Sequence, residues 1–127
     1  MDVKNSFEMN QDYDAQNDSL FLYIIDDYVY KRSLRLDKDL ILDFDENNVP
    51  VALEILHASK RLNTSKLNLR QPIGLNMEIV IARDFIHIKA DFTIVIRNKS
   101  TPLDLDVEGE NSINLPSQEA HFEKAAA

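Results

Sequence analysis

Apolar and polar residues alternate along most of this chain with the two-residue period of half-buried β-strands. The cleanest run is 85–97. Ile86, Ile88, Ala90, Phe92, Ile94 and Ile96 line one face, and Phe85, His87, Lys89, Asp91, Thr93, Val95 and Arg97 line the other. A one-sided strand of that length belongs in an antiparallel sheet with one wet face. Residues 77–82 alternate likewise, with Met77, Ile79 and Ile81 against Glu78, Val80 and Ala82, and Arg83-Asp84 makes the turn. Leu103, Leu105 and Val107 alternate with Asp104, Asp106 and Glu108, as in a last edge strand.

The first half carries the same signal. Ser19–Ile25, SLFLYII, is apolar on both faces and predicts a central strand covered on each side. Residues 28–36 put Tyr28, Tyr30, Leu34 and Leu36 on one face, opposite Val29, Lys31, Ser33 and Arg35. Leu40, Leu42 and Phe44 share a face, as do Val49, Val51, Leu53 and Ile55 beyond the turn at 45–48. The period then changes, and Ala58 to Leu69 reads as helical turns that Thr64 and Ser65 cap and Pro72 ends. The expected fold is α+β and mainly β: an antiparallel, meander-like sheet of about six to seven strands with one short helical segment at 57–69. Residues 1–10 and 109–127 read as a disordered and an acidic tail around one domain, 11–108, with halves at 12–62 and 75–98.

Composition narrows the function classes. The 127 residues suit one domain with a real core. Two glycines disfavour a Gly-rich phosphate loop, and the lack of cysteine excludes a disulfide scaffold, a thiol nucleophile and Cys-ligated metal. The acidic start is no signal peptide, and the apolar runs are too short to cross a bilayer, so a soluble, cytoplasmic protein with no membrane partner is expected. The net charge of −8 is uneven. Residues 1–30 carry one lysine against seven acids, 31–100 twelve Lys and Arg against nine acids, and 101–127 one lysine against six acids. Acidic ends argue against nucleic acid as a partner. A basic stripe from Lys31, Arg35, Lys89 and Arg97 requires their strands to lie close.

Asp43, Asp45, Asn47 and Glu54 fall at the first, third, fifth and twelfth places of a calcium loop. Against that stand Asn48 in place of the bend glycine, Pro50 and Val51 later in the loop, and flanking strands instead of helices. A hairpin turn over 45–48 is the favoured reading, and no metal or cofactor is expected. His57, His87 and His121 share no ligand spacing. His87 and Asp91 lie about 13 Å apart along a strand, so they cannot touch. No catalytic residues emerge, and an enzyme is not expected.

A family resemblance enters at 40–60. Tyr13-Asp14 and Leu20–Tyr23, the turn Asp43-Phe44-Asp45-Glu46-Asn47, then Glu54-Ile55-Leu56 and Ala58-Ser59-Lys60 fall at matching spacing. Over about 12–62 the chain resembles the prokaryotic domain-of-unknown-function family 2283, in a longer form with a second β half. One departure is Asn48, where the family usually has Gly. The resemblance implies a small, mostly β cytoplasmic domain with no established activity or catalytic residues. Relatives encoded beside small toxins imply an antitoxin-like role. The expected function is therefore non-enzymatic protein binding or self-association: a homodimer, or a basic protein partner drawn by the acidic ends. The alternative is a ligand- or metal-binding regulatory domain using the turn at 43–54, and the third reading is a nucleic-acid-binding sheet.

Overall fold

The alternating runs become strands in the computed structural model, which describes residues 5–126. In chain order the elements are β1 (Ser6–Asp14), β2 (Ser19–Ile24), β3 (Tyr30–Arg35), β4 (Leu40–Asp45), β5 (Pro50–Ile55), α1 (Ala58–Arg61), α2 (Lys66–Leu69), β6 (Gly74–Ile81), β7 (Phe85–Ile96), β8 (Lys99–Glu110) and β9 (Gln118–Lys124). The mainly β class holds, and both helices fall inside the predicted segment. Ser65 caps α2, its side chain accepting from the Asn68 N–H. Among the described residues nine strands replace the six to seven expected, in the order β3-β4-β5-β2-β1-β9-β6-β7-β8.

Two differences come from the ends. The segment read as a disordered tail at 1–10 contains the start of β1, with Phe7 and Met9 buried; residues 1–4 lie outside the described ones. The segment read as a tail at 109–127 contains β9, which pairs antiparallel with β6 and parallel with β1. The sheet is thus two meanders joined through its own terminal strands. Phe122 of β9 is fully buried and stacks on Phe7 of β1, ring centroids 5.5 Å apart. A strand with only Ala120 and Phe122 buried scores poorly on hydrophobic pattern, but neighbours on both sides satisfy its backbone.

The inner faces of both halves share one core, in which Leu20, Leu22, Leu40, Leu42, Phe44, Leu53 and Ile55 meet Met77, Ile88, Phe92 and Phe122. Burying each such side chain is worth roughly 1.5–3 kcal/mol. The sheet curls enough to bring Leu36, just after β3, against Gly109 of β8, where a Cβ would sit 3.0 Å from the leucine Cδ2. The expected two-sided burial of β2 does not occur. Leu20, Leu22 and Ile24 enter the core, whereas Phe21 and Tyr23 stack on each other at 5.3 Å on the half-open outer face. No described helix is long and apolar enough to cross a membrane.

Candidate functional site

The turn at 45–48 shows what its carboxylates do. Asp45 Oδ1 accepts from the Asn47 and Val49 N–H groups, each at 2.9 Å. The Asn48 N–H reaches the Asp45 carbonyl at 3.0 Å, and Asn48 itself is left-handed, φ 61°. An asparagine tolerates that conformation better than most residues. Arg32 donates to the Asn48 side chain at 2.9 Å. Asp43 accepts from Ser33 Oγ at 2.6 Å, and Glu54 accepts from Ser19 Oγ at 2.8 Å. Asp43 and Glu54 therefore each bond a serine of a neighbouring strand, while Asp45 and Asn47 bond each other within the turn. Among the described residues no three His, Asp or Glu side chains converge as a metal-ligand group.

The residues after β5 anchor two polar clusters that sequence reasoning missed. Asp18, buried and left-handed at φ 53°, accepts from Tyr13 Oη at 2.6 Å, Ser59 Oγ at 2.7 Å and the Ser59 N–H at 3.0 Å. Burial pushes its carboxyl up, but these donors outweigh it and hold the group below the usual range. Burial and the same contact push the Tyr13 phenol well up. Asp18 thus caps α1 across the fold, which explains why a serine stands in the Ala58-Ser59-Lys60 exit.

In the second cluster Arg61 donates to Asp37 at 2.8 Å and to Asp39 at 3.1 Å, while His57 Nδ1 lies 3.0 Å from Asp39. The hydrogen bond with His57, then Arg61, holds the Asp39 carboxyl down despite burial. Asp37 is held down by Arg61 and by the N–H groups of Asp39 and Leu40, against burial pushing it up. The one legible signal was the four-residue spacing of His57 and Arg61, a helical neighbour pair. Nothing in the sequence paired it with the turn at 37–39. Both clusters tie loops to the helical segment.

The exposed chemistry lies on the outer sheet face. Register aligns Glu8, Glu123, Asn76, Asp91 and Asp104 in one row across five strands. A neighbouring row holds His121, Glu78, Lys89 and Asp106, and a third Glu119, Val80, His87 and Glu108. All the carboxylates of these rows are exposed. His87 hydrogen-bonds Asp106 at 2.5 Å, so its acidic partner comes from β8 and not from Asp91 of its own strand. His121 lies 3.9 Å from Glu78 and 3.8 Å from Glu123. Lys31 and Arg35 lie on β3 at one end of the strand order and Lys89 on β7 near the other, and Arg35 is committed to the carbonyls of Asp37 and Lys38.

Comparison with known proteins places this geometry in a lineage. Residues 11–59 match the family described as protein of unknown function (DUF2283). The chain is 37% identical over 113 residues to a Methanosarcina mazei protein named "Putative hypoxanthine phosphoribosyltransferase", covering 89% of this chain and 90% of that one. It is 36% identical over 110 residues to an uncharacterized protein of Methanocaldococcus jannaschii, covering 85% and 92%. No solved structure matches. The DUF2283 match runs from within β1 to the start of α1, and the two relatives align with the chain beyond it into the second β half: the chain belongs to this family of unknown function, in its longer form.

Proposed function

We propose that the protein is a non-enzymatic binding domain whose acidic outer sheet face takes a basic protein partner, as an antitoxin-like protein would. The observation that carries this reading is the Glu8–Glu123–Asn76–Asp91–Asp104 row, which contains four carboxylates and no cation. Asp91 and Asp104 stand directly opposite each other on neighbouring strands, an arrangement that costs stability. A face that tolerates this repulsion is explained by a cationic partner that relieves it and is steered toward it. The name of the Methanosarcina relative suggests phosphoribosyl transfer, which demands a phosphate cradle. Helix N-termini and glycine loops are the usual means. Here Gly74 and Gly109 lie inside strands and α1 and α2 have four residues each, which favours binding over catalysis.

The test is the affinity of the purified chain for the product of the adjacent gene, measured as salt is varied. Binding that weakens steeply with salt, and in Asp91→Asn and Asp104→Asn, supports the reading. A neighbour that is neither basic nor bound removes it. Self-association is a second reading, favoured by Ile25, Val29 and Tyr30, each more than half exposed within one short segment. A monomer at all concentrations in sedimentation would eliminate it.

A further inference from the structure

The twelve-residue strand β8 ends the sheet, and among the described residues nothing pairs with its second side. The direction of its unpaired groups follows from its flank. The Asn111 N–H donates to the Asp84 carbonyl at 3.2 Å, so bonding to β7 falls to the odd-numbered residues of β8, by the alternation of antiparallel ladders. The N–H and C=O groups of Asp104, Asp106 and Glu108 therefore face the open side. Pro102 fits this phase, because its missing N–H falls on the open side too. The same three residues carry their side chains on the exposed outer face, while Leu103, Leu105 and Val107 between them turn toward the core. Gly109 is packed against Leu36. The open stretch is thus 103–108, bounded by Pro102 at one end and by Leu36 at the other.

We infer that this edge receives an extended segment of a partner, added antiparallel as a tenth strand, with Lys or Arg at every second position and apolar residues between. An antiparallel strand bonded to Asp104, Asp106 and Glu108 sets its own bonded residues directly opposite them, side chains about 5.5 Å apart at Cα on the same face. Cations there meet three carboxylates. The intervening side chains fall beside Leu103, Leu105 and Val107, of which Leu103 and Val107 are only half-buried. A second copy of β8 is the wrong occupant, since a two-fold pairing would set the carboxylate row against itself. This inference rests on the acidic face being the binding surface, and it specifies the backbone mode by which a partner is held.

The experiment uses the full chain and capped heptapeptides. One alternates valine with lysine, one has the same composition with its lysines consecutive, and one is the alternating peptide N-methylated at each lysine. The alternating peptide is expected to bind roughly tenfold or more tighter than the other two. It should protect the amides of Asp104, Asp106 and Glu108 from hydrogen exchange, and its binding should be lost in Asp104→Asn/Asp106→Asn, a double variant with no core contact to lose. Equal binding of all three peptides would overturn strand addition while leaving charge-driven binding to the face intact. No peptide binding while the adjacent-gene product still binds would also overturn it, and would mean that the acids and Pro102 only guard the edge. Self-association that protects the amides of Asp104, Asp106 and Glu108 without any peptide, and that strengthens in the double variant as the repulsion is relieved, would overturn it in favour of a second copy.

Discussion

At the scale of single residues, the interior is organised by a few carboxylates. Asp18 joins the β1–β2 turn to α1 through Tyr13 and Ser59, so replacing it leaves a phenol and a backbone N–H without partners. Asp18→Ala should cost about 2–3 kcal/mol in denaturant unfolding. Asp18, Asp37 and Asp39 are all held below their usual range, so their stabilisation is complete above about pH 4, the unfolded carboxylate value, and is lost as pH falls through their native values. A pH–stability profile should therefore drop on the acid side, and less steeply in Asp18→Ala. On the outer face the sign reverses. Asp104→Asn relieves the repulsion with Asp91 and should raise stability by a few tenths to about 1 kcal/mol. A fall in melting temperature would show that the carboxylate has a favourable contact instead.

At the scale of elements, β9 decides the architecture. It alternates Ala120 and Phe122 with charged or polar neighbours, has ladders on both sides and closes the sheet between the two meanders. Phe122→Ala removes a fully buried ring from the seam with Phe7 and should cost roughly 3–5 kcal/mol in urea unfolding. A terminal tail would give a change near zero. The helical segment works differently. Four-residue helices have no stability of their own, and they persist here because Asp18, Asp39 and Ser65 fix their starts and Ala58, Leu62 and Leu69 fill the core.

At the scale of the molecule, curling puts the apolar faces of both halves inside and spreads the carboxylates outside. The net charge of −8, 22 acids against 14 Lys and Arg, is then carried largely by exposed side chains. Added salt should therefore raise the melting temperature over the first few tenths molar, because screening relieves repulsion between exposed charges. A monotonic fall would mean that attraction within oppositely charged pairs, such as the half-buried Arg61–Asp37, outweighs that repulsion.

The sequence by itself determined the β class, the place of the helical segment, the turn at 45–48, the faces of β4 and β7, and the family. Each of these follows from local periodicity or from turn chemistry acting over a few residues. Only the tertiary structure decided the ends, the strand order and the polar clusters. Phe7 and Phe122 carry too little local apolar signal to announce strands, and they become strands because they stack on each other. Asp18 finds Ser59, and Asp39 finds Arg61, across stretches of chain that no period spans. The acidic row follows the same logic. Glu8, Glu123, Asp91 and Asp104 are ordinary exposed residues of four different strands, and register alone makes them one surface.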